Sequence, residues 1–159
     1  RPPAEDFHPS DSAEPARPIT DREFHANGKI RIVRELVPNA AGKPVLHGIW
    51  QWWDESGRLV VSGEFRQGKR EGTWKRLHQR EEATAFQEEP YVGFAAPFSS
   101  EAVFANGLLH GNWLVSDAHG RPITSIHYRE GLRDGNATWW NPQGGKVQQS
   151  EYKAGLLDC

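Results

Sequence analysis

The sequence predicts an all-β fold, an elongated antiparallel meander of repeated β-hairpins with about five units of 24 residues. The first observation is a glycine ladder, because Gly48, Gly72, Gly111 and Gly135 each begin a similar stretch, at intervals of 24, 39 and 24 residues. The second is a hydrophilic composition that combines 16 glycines with 7 tryptophans and only 36% hydrophobic residues. Many glycines beside many aromatic residues are typical of short strands joined by tight turns.

Each unit contains two turn signals. The first turn starts with Asp or Asn, whose side chain bonds nearby backbone, and closes on a glycine, which favours positive φ. This pattern predicts a type I turn with a glycine bulge. It recurs at residues 54–57, 117–120 and 141–144. The second turn ends on Gly68, Gly107, Gly131 and Gly155. A unit is therefore strand, turn, strand, turn, and its repetition makes a meander.

The apolar positions within a unit predict the packing. Tryptophan stands two residues after the leading glycine at Trp50, Trp74 and Trp113, and we expect these rings to form the packed column. A second column is predicted from one offset, with Val60 opposite Trp52. Strand parity places a third column on the other face unless a bulge intervenes. The second column is Val60, Ile123 and Val147, and the third is Phe65, Tyr128 and Tyr152.

Two of the five units are interrupted, and the first of them, a weak unit around residues 24–36, is stretched by extra residues at 38–44. Residues 1–21 hold five of the 11 prolines and five acidic residues, so we expect a flexible linker that leads from a signal, an anchor or another domain. The folded repeat then occupies residues 22–159. An insertion at about residues 77–98 lengthens one unit by about 15 residues. Long excursions often carry function. This one is also long enough to fold back and cover one sheet face.

The motif Gly-x-Trp, followed by an aromatic residue and later by an aromatic-x-x-Gly, is clearest between Gly48 and Gly68. This pattern resembles the MORN repeat, and more closely the bacterial variant found in antitoxin-like repeat proteins. The resemblance covers about residues 22–159 and departs from the pattern at Ala137 and in the insertion. It implies a β-hairpin array that binds or scaffolds other molecules, with no cofactor and no catalytic residue. Some relatives are immunity partners of toxins, whereas others are scaffolds.

Composition and motifs exclude several functions. A net charge of −2 supplies no general attraction to nucleic acid or anionic lipid. The single Cys159 excludes an internal disulfide and a thiolate zinc site. No apolar run approaches the length of a transmembrane helix, about 18 residues. His47 and His110 precede leading glycines, at a turn position that tolerates any polar group, so we expect no metal site.

Four aromatic residues are candidates for contacting a partner. Trp53 and Trp140 share an offset opposite to the Trp50 column, and they mark a contact face if they are exposed. Tyr91 and Phe94 in the insertion are candidate anchors for a protein partner. The alternative for these two is that they fold back, together with Phe98, onto the sheet.

The preferred hypothesis is a non-catalytic module for protein–protein interaction or scaffolding, in one version an antitoxin or immunity protein. Its partner is another protein, or a second copy bound through an open sheet edge. A cell-envelope module that binds glycans through Trp53 and Trp140 is an alternative. A second alternative is an enzyme with the insertion as a lid over Glu81, Glu82, Glu88 and Glu89. The leader favours an exported or anchored protein, whereas an immunity role favours the cytoplasm.

Overall fold

The computed structural model describes residues 17–158 as a single open antiparallel sheet whose eleven strands neighbour one another in chain order. The predicted all-β meander is confirmed. Two short 3₁₀ turns, Arg80–Glu82 and Thr84–Gln87, lie in the insertion. The strands are β1 Ile19–Phe24, β2 Ile30–Pro38, β3 Pro44–Trp53, β4 Leu59–Arg66, β5 Lys69–His78, β6 Phe98–Ala105, β7 Leu108–Ser116, β8 Pro122–Arg129, β9 Leu132–Trp140, β10 Lys146–Lys153 and β11 Leu156–Leu157.

The ends of the repeat differ in detail from the expectation. Residues 1–16 of the predicted linker lie outside the described residues, and so does Cys159. The last three linker positions, residues 19–21, are strand in the structure and pair with β2. The first unit is stretched because its second turn is longer than the two-residue second turns of the later units. Its β2–β3 connection is the four-residue turn Asn39–Gly42, in which the Gly42 N–H donates to the carbonyl oxygen of Asn39 (2.9 Å).

Both predicted turn types hold the hairpins together. In the first turn, the Gly57 N–H donates to the carbonyl oxygen of Asp54 (3.0 Å), and the Asp54 carboxylate accepts the backbone N–H of Ser56 (3.0 Å). In the second turn, Gln67 and Gly68 have φ values of 48° and 79°. Two successive positive φ values give the type I′ turn, whose twist matches that of the flanking strands.

A bulge after each first turn corrects the predicted register. Trp52 pairs with Val61 rather than with Val60, and Trp53 pairs with Leu59, so Val60 is the extra residue of a bulge. Phe65 therefore pairs with Gly48 and lies on the same face as Trp50, not on the opposite one. The predicted Val60, Ile123 and Val147 column is wrong, because Val147 is 61% exposed whereas Ile123 is buried.

The registers divide the sheet into two chemically different faces. We call one the aromatic face, because it carries most of the rings of the repeat, and the other the polar face. The aromatic face includes Trp50, Trp52, Phe65, Trp74, Phe104, Trp113, Tyr128, Trp139 and Tyr152. The polar face includes Gln51, Trp53, Ser62, Lys75, Glu101, Asn136, Thr138 and Trp140.

The insertion folds back over one end of the aromatic face, as the fold-back alternative predicted. Phe94 and Phe98 are 3% and 0% exposed, and they pack with the buried Val115 and Ile123. Phe86 and Tyr91 pack against this cluster. A lone sheet leaves both faces open to water, so the insertion supplies a second layer and a small hydrophobic core where the sheet would otherwise have none.

The turn at residues 117–120 anchors the insertion. The Ala118 N–H donates to the carbonyl oxygen of Ala95 (2.8 Å), and the Ala95 N–H points at the Asp117 carboxylate (3.4 Å). Asp117 is buried and forms an ion pair with Arg121 (2.6 Å). Burial alone raises the pKa of Asp117. The hydrogen bonds from the Arg121 side chain and from backbone N–H groups outweigh it, so the pKa lies below its usual value.

A second packing contact lies at the centre of the sheet, where the Trp74 ring rests on Gly63. A Cβ atom at residue 63 would lie 2.1 Å from Cδ2 of Trp74, so only glycine fits beneath the ring. The Trp74 indole N–H donates to the carbonyl oxygen of Glu64 (3.1 Å). Trp74 is 7% exposed and is thus the buried aromatic residue in the part of the aromatic face that the insertion leaves uncovered.

Replacing Gly63 with Ala tests this contact. We expect a loss of about 1–3 kcal/mol in the free energy of unfolding, since the added methyl group overlaps a buried ring. Urea denaturation measures it. The matched background is Trp74→Leu, which removes the ring from that position. In that background the Gly63→Ala penalty should nearly vanish. An equal penalty in both backgrounds would show that the ring does not impose the glycine.

Asp117→Asn tests the anchor of the insertion. An amide keeps the turn hydrogen bonds, as the natural Asn141 does, but it loses the ion pair. We expect a loss of about 2–4 kcal/mol at pH 7 in denaturant titrations. Because the pKa is lowered on folding, this stabilisation is present above the unfolded pKa of about 4 and disappears as the pH falls through the folded value. The gap between wild type and variant should therefore narrow in acid.

Asp54→Asn is the matched control for that experiment. Asp54 occupies the equivalent position of an earlier unit, where hydrogen bonds from Ser56 and then from the Arg58 backbone lower its pKa to about 2. The Asp54 carboxylate bonds only Ser56 and Arg58 of its own exposed turn, whereas Asp117 also faces the Ala95 N–H of the insertion, so we expect the smaller loss. Equal losses for the two variants would mean that Asp117 stabilises only its own turn.

Candidate functional site

The aromatic face has a groove over strands β3 to β6. Trp74 forms its floor, and three rings surround it. The ring centroid of Trp74 lies 5.0 Å from Phe65, 5.9 Å from Trp50 and 6.4 Å from Phe104. The groove has a volume of about 320 Å³. We call it the Trp74 groove, and its lining is completed by Val61, Arg70, Lys75, Arg76, Ser100 and Ala102.

An arginine is placed among these rings by the strand register. Arg70 pairs with Phe65 across β4 and β5, and its guanidinium carbon lies 4.9 Å from the Trp74 centroid and 5.4 Å from that of Phe104. Stacking of this kind stabilises the cation and leaves its N–H groups free at the ring edges. Within residues 17–158, no carboxylate lies within 4.0 Å of the Arg70 side chain.

The opposite end of the Trp74 groove is also cationic. Arg76 lies on the same face and pairs with Val61, and its guanidinium approaches Glu82 of the insertion at 3.6 Å. Arg133 lies further along this face, with its guanidinium carbon 5.3 Å from the Tyr152 ring. Hydrogen bonds to Tyr128 and Tyr152 raise its pKa, so Arg133 remains charged at any physiological pH.

Charges are sorted between the two faces. In strands β3 to β10, the registers place every acidic side chain on the polar face, whereas the aromatic face has only arginines. The acidic residues of the polar face are Glu64, Glu71, Glu101, Asp134 and Glu151, and the arginines of the aromatic face are Arg70, Arg76 and Arg133. A chain of net charge −2 thus presents a locally cationic aromatic surface in strands β3 to β10, whereas at the β1–β2 edge of the same face Asp21 and Glu23 are paired with Arg34.

The two predicted tryptophans lie on the polar face, far from each other in the strand order. Trp53 is half-buried, and its indole N–H is buried with no hydrogen-bond partner in the part of the chain that the structure describes. Trp140 is also half-buried and lines a shallow polar depression of about 480 Å³ with Asn112, Ser125 and Asn136.

The two predicted insertion residues lie together in the packed layer. Tyr91 is half-buried, with its ring 5.0 Å from Phe86, and burial raises the pKa of its hydroxyl. Phe94 is buried, so an exposed anchor at this position is wrong in the folded chain. Its carbonyl oxygen accepts a hydrogen bond from Arg80, and Arg121 lies over its ring. Contact with a partner through Phe94 would require the insertion to open.

Among the described residues, the four acidic side chains of the enzyme hypothesis do not line an enclosed site. Glu81, Glu82, Glu88 and Glu89 are exposed, so they do not form an acidic site beneath a lid. Within the described range, no cluster of three or more His, Cys, Asp or Glu side chains is arranged to hold a metal ion. His47 Nδ1 accepts the Gln67 N–H (3.1 Å), which gives this histidine a role in the turn.

No helix among residues 17–158 has the length and apolar character needed to cross a membrane.

The Trp74 groove itself was not predicted, although the sequence contains two signals for it. The first is Gly63, a glycine inside a strand, which often marks the close approach of another group. The second is found in the neighbouring residues Glu64-Phe65 and Lys69-Arg70, whose side chains point to opposite faces of the sheet. Once the bulges are known, this alternation places Phe65 and Arg70 on the aromatic face and Glu64 and Lys69 on the polar face. Without the bulges, parity places Phe65 on the wrong face and separates it from Trp50 and Trp74.

The comparisons agree with this architecture. Residues 46–67 match a family profile described as the MORN repeat variant. The match spans most of β3 and β4, with their first turn and the start of the second, so it corresponds to one structural unit. No curated protein shows a significant match to the chain. The chain therefore contains a repeat of the MORN variant type, set within a sheet of similar hairpins.

Proposed function

We propose that this protein is a non-catalytic interaction module that binds a partner protein through the Trp74 groove. The observation that carries the proposal is the uncovered part of the aromatic face. The insertion covers one end of that face, while Trp50, Phe65 and Phe104 remain only half-buried around Trp74. Aromatic residues and arginine dominate the energetics of protein interfaces, and this groove combines both.

The match of residues 46–67 to the MORN repeat variant supports the same kind of function, because MORN repeats are in general modules for interaction with proteins or membranes. In a finer version, the partner is a toxin that the module neutralises. Identification of the captured partner distinguishes this version from scaffolding, since a toxin loses its activity when it is bound.

Two other surfaces enter the proposal as alternatives. The first is formed by β1 and β11, the outer strands of the sheet over residues 17–158, where Ile19 and Leu156 are exposed and where a second copy would add strands. The second is the depression beside Trp140, where the polar side chains and the indole ring suit a sugar. Trp53 fits a glycan site less well, because its indole N–H is buried.

Removal of Trp50 tests the groove against the alternatives. We expect that Trp50→Ala weakens retention of the partner, captured from a lysate of the source organism, by about tenfold or more, as for an interface hot spot. Quantitative mass spectrometry of the captured proteins measures the retention. Thermal unfolding must first establish that the variant is folded.

Trp140→Ala is the matched control, since it removes the same side chain from the polar face. It should leave retention within about twofold of wild type, on the scale of neutral interface contacts. Equal effects of the two substitutions would count against the groove. Loss of glycan-array binding only in Trp140→Ala would favour the glycan module, and dimerisation without another captured protein would favour the sheet edges.

A further inference from the structure

We propose that the partner presents to the Trp74 groove an extended acidic segment, with a carboxylate over Arg70 and an adjacent aromatic or large aliphatic side chain among the rings. This inference rests on the proposed function and specifies the chemistry of the partner. It is carried by Arg70, which lies on the aromatic face, where strands β3 to β10 place no acidic side chain. The acidic residues at the β1–β2 edge of that face, Asp21 and Glu23, are already paired with Arg34, and Glu82 is paired with Arg76.

Arg70 is prepared to bind a carboxylate. Its exposed guanidinium lies 4.9 and 5.4 Å from the ring centroids of Trp74 and Phe104, and this stacking favours a position over the groove. Guanidinium groups bind carboxylates through two parallel hydrogen bonds, and they are more weakly hydrated than ammonium groups. Beside it, the edges of Phe65 and Trp50 provide an apolar surface for a neighbouring side chain.

The insertion already binds the adjacent part of the same face in this way. Its Glu82 carboxylate approaches Arg76 at 3.6 Å, and its Phe86 ring lies 5.3 Å from His78 and 5.5 Å from Phe98. One short segment thus combines an acidic and an aromatic contact on the aromatic face. A partner segment on the open half would repeat that arrangement with Arg70 in place of Arg76.

The dimensions of the groove limit the segment. Strands β3 to β6 span three inter-strand spacings, which is about 14 Å. An extended chain advances about 3.3 Å per residue, so about four residues cross the groove. A peptide is favoured over nucleic acid because Trp74 is buried and offers no free face to a base.

Selection from a phage-displayed library of short random peptides on the full chain tests the inference. We expect the enriched sequences to carry Asp or Glu next to an aromatic or large aliphatic residue. A synthetic peptide with the enriched sequence should bind Arg70→Glu at least about tenfold more weakly than wild type, and its affinity should fall as salt increases. Arg70→Gln, which only removes the charge, should show an intermediate loss.

Lys69→Glu is the matched control, because it makes the same charge reversal at the neighbouring residue, which lies on the polar face. It should change the affinity by less than about threefold, as expected for a charge outside the interface. Thermal unfolding of all variants confirms that they are folded.

The outcomes separate the two proposals. If the selected peptides lack acidic residues, or if Arg70→Glu and Lys69→Glu act equally while Trp50→Ala abolishes binding, then the groove binds proteins and the acidic segment is wrong. If Trp50→Ala has no effect either, both proposals fail. Displacement of the peptide by single-stranded oligo(dT) or by phosphatidylserine vesicles, with the same dependence on Arg70, would also overturn the choice of an acidic peptide.

Discussion

The contact between the Trp74 ring and the bare backbone of Gly63 organises the uncovered half of this protein. A single sheet has no opposing layer, so its side chains must find packing partners on their own face. Trp74 does so by lying flat across the neighbouring strand, where any Cβ atom would overlap it. The ring is thereby buried within one layer, and Trp50, Phe65 and Phe104 gather around it. Arg70 can stack on the ring because it is fixed in this position.

The apolar side chains in the two halves of the aromatic face are shielded from water in different ways. At one end, the insertion supplies a second layer, and Phe94 and Phe98 become fully buried with Val115 and Ile123. At the other end, no segment among the described residues covers the rings, and they shield one another only in part. The covered half resembles a small core, whereas the open half keeps apolar surface beside a cation. This difference in coverage sets the chemical character of the aromatic face.

Most of the fold could be predicted from sequence because it depends on local rules. Positive φ at glycines and the backbone bonds of Asp54, Asp117 and Asn141 set the turns, and the turns set the hairpins. Registers were harder, because one extra residue in a bulge moves every following side chain to the other face. That single residue explains why Val60 was paired wrongly and why Phe65 was separated from Trp50.

The candidate site was harder still to predict, because it depends on contacts between units. The prediction chose Trp53, Trp140, Tyr91 and Phe94 from their position in the repeat or in the insertion. The sequence alone does not show that the insertion buries Phe94 or that the indole N–H of Trp53 is enclosed. The Trp74 groove arises from residues of four strands, and their meeting follows from registers that sequence alone left open.

The seven tryptophans provide the most direct test of the central claim, that partners bind to the aromatic face beside Trp74. Each indole N–H gives a separate signal in a ¹H–¹⁵N spectrum, and Trp53 and Trp140 report on the polar face. On addition of a captured partner, we expect the indole N–H signals of Trp50 and Trp74 to shift. The signals of Trp53 and Trp140 should keep their positions. Shifts confined to Trp53 or Trp140, with Trp50 and Trp74 unchanged, would contradict it.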